Sequence, residues 1–271
     1  MFGQPLPVLM YHHVSPQPGL VTCSPENFRA QMEWLAKNGW HTLSTEAFAE
    51  ALATGILPRK SVLITFDDGY LDNWVYAHPV LKEFGLRATI FLITGWIGDG
   101  PLRAHDGQSG TPAVPNHKQA MADAREGRFD GAFLRWSEVD AMRAAGTVDF
   151  HSHTHTHTRW DRTVADPLQR DQALADDLSA SRAALAARLG EATPHLCWPQ
   201  GYFDERYQRI ATTAGFTHLY TTEHGVVRAA SDPARLPRIV AKDKGAHWFG
   251  RRMGIYGQAW LSGLYLALKK S

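Results

Sequence analysis

Cysteine is scarce in this chain: two residues, Cys23 and Cys197, among 271. They lie far apart and no Cys-x-x-Cys pattern occurs, so neither a disulfide framework nor a thiolate metal knuckle is encoded. Long apolar runs are missing too. No stretch approaches the ~18 unbroken apolar residues of a membrane-spanning helix. Met1-Phe2-Gly3-Gln4-Pro5-Leu6-Pro7 lacks the basic start and apolar run of a secretion signal. The expected location is therefore cytoplasmic, extending to the inner face of a membrane. Nor is one charge sign in surplus: Lys+Arg number 28 and Asp+Glu 27, which argues for neither a nucleic-acid partner nor an acidic tail. No fixed-period repeat is present, and no linker splits the chain.

What the chain does have is a regular alternation of strand and helix signals. Val8-Leu9-Met10-Tyr11 reads as a buried strand ending on His12 and His13. Ser24-Pro25-Glu26 opens a helix, with Ser24 as cap and Pro25 in the first turn. Strands follow over 40–43 and 61–66, each after a helix, then a helix over 72–84 broken or kinked at Pro79. The next strand spans 87–93. After a gap the pattern resumes with a helix from Trp136, a strand over 147–150, and a long helix from Asp166 to Gly190. Strands over 195–198, 217–220 and 236–241 complete about eight, with a helix over 204–214. Strand–helix alternation predicts a parallel sheet covered by helices, here one barrel-like α/β domain over 1–244. Residues 95–131 break the pattern. They are rich in Gly, Pro, Asp and His and read as a long insertion with one short helix near 117–127. Residues 245–271 read as one helical tail, apolar at Trp248, Phe249, Met253, Tyr256, Trp260, Leu261, Leu264 and Leu268, basic at Arg251, Arg252, Lys269 and Lys270.

Two strand ends carry the chemistry. Ser61–Phe66 stops on Asp67-Asp68-Gly69. Adjacent acids in a strand point to opposite sides, so their tasks differ. The second strand runs into His151-Ser152-His153-Thr154-His155-Thr156-His157, four of the fourteen histidines. Carboxyl ends of parallel strands are where α/β folds place ligands. One Asp and two His make the three-ligand set of a catalytic metal site, leaving the other Asp to act as base. Spacing alone permits His151 with His155 or His153 with His157.

Thr65-Phe66-Asp67-Asp68-Gly69 together with Ser152-His153-Thr154-His155-Thr156-His157 resembles the polysaccharide deacetylases, the NodB-homology carbohydrate esterases of family 4. Pro7–His12 and Leu236-Pro237-Arg238-Ile239 resemble the same group, and the likeness spans roughly 7–93 and 132–240. It implies a distorted (β/α) barrel and a divalent metal, zinc above all. It implies Asp67 as catalytic base, Asp68, His153 and His157 as metal ligands, and His155 facing away. His151 stands where the family has glycine and would contact the ligands from behind. Cys197-Trp198-Pro199-Gln200-Gly201 matches the family's third motif at Pro199 and Gly201, which would line the substrate. The Gln200 N–H inherits the oxyanion role. Cys197 replaces the arginine that partners the base, and Arg238 is the expected substitute. Cys197 as a nucleophile finds no acid–base pattern beside it.

The family's general acid has no clear match; His224, after a strand, is preferred to His247 in the tail. His12 is expected on the substrate side, and Trp136 and the insertion's aromatics are expected either to stack on sugar or to serve in packing. The expected reaction is removal of an acetyl group from an amino sugar of a polysaccharide, glycolipid or glycan precursor. The alternatives are a degenerate carbohydrate-binding barrel, an O-acyl esterase or a deformylase. The tail suits a membrane surface or a cover over the barrel, and the cover is preferred.

Overall fold

β-branched and aromatic runs form the strands of this molecule, and their order around it is almost the order of the chain. A computed structural model describes residues 4–270. Met1 to Gly3 of the amino terminus, Ser271 and the side chains of the basic tail residues Lys269 and Lys270 lie outside the described residues.

The elements are β1 (Val8–Tyr11), β2 (His13–Val14), β3 (Thr22–Cys23), α1 (Pro25–Lys37), β4 (His41–Thr42), α2 (Thr45–Thr54) and β5 (Ser61–Phe66). A π-helical turn, Asn73–Ala77, leads into α3 (His78–Glu83), followed by β6 (Ala88–Leu92), α4 (His117–Arg125), α5 (Trp136–Ala144) and β7 (Val148–Ser152). Then come α6 (Trp160–Thr163), α7 (Pro167–Leu189), β8 (His195–Cys197), α8 (Glu205–Thr213), β9 (His218–His224), β10 (Leu236–Val240), α9 (Ala246–Tyr256) and α10 (Ala259–Lys270).

The main sheet runs β1-β10-β9-β8-β7-β6-β5-β4, and β1 also pairs with β5. Seven parallel strands therefore close on themselves, and β4 is an extra strand outside the ring. The closure is register-exact in β1 and β5, from Val8 opposite Leu63 to Tyr11 opposite Phe66. Its loosest seam is β7 to β8, where the paired residues are Ser152 and Leu196.

Alternation along β5 explains why the strand is buried on both faces. Val62, Ile64 and Phe66 pack outward with Phe28, Met32 and Leu35 of α1. Leu63 packs inward with Val8, Phe91, Tyr220 and Leu236. Each such side chain contributes about 1.5–3 kcal/mol by leaving water. The caps read from sequence are formed: Ser24 accepts from the Asn27 N–H, Ser44 from Ala47, and Asp166 from Leu168 and Gln169.

Pro79 lies inside one helical run over 71–83, whose regular ladder gives way to the π turn Asn73–Ala77 just before it, the disturbance a proline inside a helix brings. Other local features differ from the sequence pattern. A small parallel sheet of β2 and β3 was not legible, because two-residue strands leave no periodic signal. β9 extends to His224, well past the expected 217–220. The tail is two helices, not one, parted at Gly257-Gln258. α9 packs on the body through Phe249, Met253 and Tyr256, and Gly250 lets it approach Trp34, whose ring would lie 2.5 Å from a Cβ there. Among the described residues no helix is long and apolar enough to cross a membrane.

Candidate active site

The inward alternation of β5 ends on Asp67, so its carboxylate points into the barrel's upper mouth. There it meets Arg238 of β10. Nη1 donates to Oδ1 at 2.6 Å and Nη2 to Oδ2 at 2.8 Å, a buried two-point pair. Arg238 is itself held by the Thr221 carbonyl (Nε, 2.8 Å) and Thr65 Oγ1 (3.2 Å). Burial opposes the charge on Asp67, but the guanidinium outweighs it, and the carboxyl is held below its usual range. Cys197 fills the remaining space, its Sγ 3.0 Å from Arg238 Nη2 and 3.6 Å from Asp67 Oδ1. Burial pushes the thiol up, away from thiolate, and it does not line the site cavity. That chemistry suits filling and not nucleophilic attack.

One residue on, the chain turns over. Asp68 has φ +73° and Gly69 φ +76°, a left-handed pair that costs free energy at the aspartate and swings its side chain to the other side of the strand end. Asp68 Oδ1 lies 3.2 Å from His153 Nε2 and 3.5 Å from His157 Nε2. His153 Nδ1 donates to the Cys197 carbonyl at 2.8 Å, which leaves Nε2 as the lone-pair nitrogen facing Asp68. Burial presses His157 down to about 4, so its imidazole stays neutral.

Two lone pairs, on His153 Nε2 and Asp68 Oδ1, then face each other with His157 Nε2 beside them, and Asp68 Oδ1 is a buried oxygen without a hydrogen-bond partner. Such a cluster suits a cation. Without a metal it would draw a proton, and the direction on His153 is upward: burial resists, while Cys197 and Asp68 favour the charge. One carboxylate and two imidazoles within 4.8 Å of one another fit a divalent metal with open positions. A second cluster, Asp67, His153 and Cys197, is equally compact. It suits a metal less, because both Asp67 oxygens are engaged by Arg238 and the thiol is protonated.

The histidine loop is shaped from behind. Asp177 of α7 accepts the N–H groups of His155 (2.8 Å) and Thr156 (2.9 Å), the Thr156 hydroxyl (3.0 Å) and the Trp160 indole (2.9 Å). Ser152 bonds Ser181 of α7 at 2.7 Å and accepts the Thr154 N–H. These anchors hold Thr154 at φ +67° and His157 at φ +60°. Asp177 was not found from sequence. Its signal was an acid among Leu174, Leu178 and Leu185, on the helix face that is buried.

The cavity over the cluster, about 270 Å³, is lined by His12, Asp67, Asp68, His153, His157, Gln200, Gly201 and Thr222, with Leu20, Val21, His117, Met121 and Trp198 at its sides. His12 Nε2 stands 3.7 Å from Asp67 Oδ2. Gln200 has φ +54° in the turn after β8. Gly201, at φ +69°, packs so tightly that a Cβ would lie 2.0 Å from Thr222 Oγ1.

Several expected site residues are elsewhere. His224 lines a separate cavity with Glu223, Arg235 and Pro237 and faces the Tyr256 ring. The cause is a register shift: Tyr220 pairs with Leu236 but His224 with Arg238, so β9 carries two extra residues opposite Pro237, which has no N–H for the ladder. Pro199 is buried beneath the turn and does not line the cavity. His151 turns away from Asp68, His153 and His157 to Thr45 Oγ1 (2.7 Å) and Thr193. His155 faces away from Asp68, as the resemblance implies, its Nδ1 2.9 Å from Thr94 Oγ1. Trp136 is buried under Arg188 and is no sugar platform.

Comparison with known proteins bears on this arrangement. The family model for polysaccharide deacetylase matches residues 54–219. The protein YxkH of Bacillus subtilis (strain 168) is 31% identical over 235 residues, 86% of this chain and 70% of that one. The poly-beta-1,6-N-acetyl-D-glucosamine N-deacetylase of Staphylococcus aureus (strain MSSA476) is 23% identical over 224 residues, 81% of this chain and 68% of its own. Among solved structures, the Streptococcus pyogenes deacetylase PplD in complex with acetate superposes with a TM-score of 0.74 at 22% identity, covering 93% of this chain and 99% of that one. At that identity the likeness speaks for the fold.

Proposed function

Because this chain belongs to the polysaccharide deacetylase family, hydrolases of carbon–nitrogen bonds, we propose that it removes the acetyl group from an N-acetylated amino sugar with the help of a divalent metal. The observation that carries the reading is the division of two neighbouring acids. Asp67 is charged and oriented by Arg238, while Asp68 faces the imidazoles of His153 and His157.

Asp68, His153 and His157 would hold the ion, and zinc suits a donor set of one carboxylate and two imidazoles. A cation there supplies Lewis acidity to the substrate. Asp67 accepts the proton of the attacking water as the water oxygen bonds the acyl carbon. Arg238 keeps Asp67 ionised before the step. The Gln200 N–H donates to the developing oxyanion, supported by the placement of the 200–201 turn over the cavity. His12, whose pKa burial lowers, replaces His224: it passes to the leaving nitrogen the proton that Asp67 has taken from the water. Its support is position: it lines the mouth 3.7 Å from Asp67. The carbon–nitrogen bond breaks, and acetate and a free amine leave.

The test is acetate release from N-acetylglucosamine oligomers, with metal content measured on the same samples. Asp68→Ala is expected to lose metal and turnover together, and Asp67→Asn to keep metal and lose turnover. Full activity in Asp67→Asn would overturn the mechanism. The binding-barrel alternative loses its main support once Arg238 occupies the place of the absent arginine.

A further inference from the structure

The catalytic cavity continues outward. His117, Met121, Leu20 and Gln200 line both it and an adjoining groove of about 550 Å³. One wall of this groove is the loop Pro18-Gly19-Leu20, with Leu20 73% exposed. The other is α4, which presents Lys118, Met121 and Arg125 from Asn116 onward. Helical spacing explains the shared face, since 118, 121 and 125 are three and four apart. Ala120, fully buried with Phe133 and Tyr70, fastens the opposite face.

The start of α4 is also pinned. His117 Nδ1 lies 3.2 Å from His13 Nε2 and 3.3 Å from the Tyr70 hydroxyl, and His13 Nδ1 is bound to Asp72 at 2.5 Å. The wall is therefore fixed to β2 and to the segment that carries Asp68.

The charges on this wall are one-sided. Among the described residues, Lys118 and Arg125 form no ion pair, although Arg128 just beyond pairs with Asp123 and Glu126. No lining residue of the outer groove is acidic. The N-terminus of α4, nine residues long, adds its partial positive charge at Asn116 to Lys118. A run of free amines, the product of repeated deacetylation, would be repelled by such a wall.

We propose that the α4 groove binds an anionic substituent of the substrate, so that the sugar is an N-acyl amino sugar joined to a phosphate ester or a uronic acid. This rests on the deacetylase reading of the neighbouring site. Lys118 and Arg125 are specificity residues that meet the anion, not the reacting atoms.

The experiment compares kcat/KM of the zinc-loaded enzyme on three probes: a neutral N-acetylglucosamine oligomer, uridine diphosphate N-acetylglucosamine, and an oligosaccharide alternating N-acetylglucosamine with glucuronate. At least one anionic probe is expected to be favoured roughly tenfold or more, as for a charge-assisted contact, and which one separates phosphate from carboxylate. In K118Q/R125Q, and near 1 M salt where screening acts over ~3 Å, the preference should fall toward one, through KM and not kcat. A neutral probe used as well as both anionic ones, or a variant that slows all three alike, would overturn the proposal. If no probe releases acetate, the deacetylase reading fails by itself. Calorimetric binding of the same probes to Asp67→Asn then decides the groove: tighter anion binding lost in the Lys118–Arg125 variant sustains it, and equal binding ends it.

Discussion

Arg238 grips Asp67 at two points across the barrel, although 171 positions separate them in the chain. Both groups are buried, so neither charge is tolerable alone. Arg238→Met is expected to destabilise the fold by about 3–5 kcal/mol, the usual cost of orphaning a buried charge. It should also cut kcat on the order of a hundredfold with metal content unchanged. Arg238→Lys keeps the charge but not the two-point geometry, and should fall between. Denaturant melts, metal analysis and acetate release on the three proteins check this. A fully active Arg238→Met would detach the arginine from the chemistry.

The barrel was legible because buried parallel strands are short, apolar and regularly followed by helices, as in Ser61–Phe66 and Ala88–Leu92. That one of the two acids would meet two of the histidines was legible for a related reason, since both segments follow strands that end at the same mouth; the choice of Asp68, His153 and His157 came from the family resemblance. What could not be read is what depends on register and packing. His224 looked like a strand-end residue at the mouth, but two extra residues of β9 opposite Pro237 carry it to another cavity. His12 was seen as a mouth residue, yet its distance to Asp67 depends on the pairing of β1 with β5. Asp177 is one acid among several on α7, and only the folding of the histidine loop over it makes it an anchor.

Metal binding should stabilise the protein measurably. A ligand bound only by the native state adds about 2.7 kcal/mol at a hundredfold excess over Kd. At about 2–4 °C per kcal/mol for a domain of this size, zinc should raise Tm by roughly 5–10 °C, and chelation should reverse it. His157→Ala, which removes one of three converging ligand atoms, should abolish most of that rise. An equal rise in His157→Ala would place the ion elsewhere. Thermal melts with and without chelator are sufficient.

Acid should weaken the fold through histidines that are kept neutral inside it. Burial, with His105 and Lys82 adding, lowers His78 to about 4, and its Nδ1 bonds Thr147 Oγ1 at 2.9 Å. In the unfolded chain the same ring titrates near 6.5. Above that pH its contribution is fully present. As pH falls from there toward 4, the unfolded state takes up a proton that the native state refuses, and up to about 3 kcal/mol is lost. His195 is lowered in the same direction by burial and by its neighbours His151 and His218. His78→Gln should therefore flatten the loss of stability over this window without removing it. Denaturant midpoints across the window measure the slope, and an unchanged slope would contradict the assignment.

Asp177 tests whether the metal ligands are arranged from α7. Its carboxylate gathers two backbone N–H groups, a hydroxyl and an indole, which together hold the chain through Thr154 and His157 in left-handed conformations. Free of that clamp, the loop would relax toward ordinary backbone angles and carry His157 away from Asp68. Asp177→Ala is thus expected to weaken zinc affinity by about 10–100-fold, as groups behind metal ligands do. Stability should fall by roughly 1–3 kcal/mol for each N–H left buried and unpaired. Asp177→Asn keeps one acceptor oxygen and should recover part of the affinity. A purely structural role would lower Tm with and without metal alike and leave the zinc Kd unmoved. Competition with a chromophoric chelator gives that Kd for each variant and separates the two outcomes.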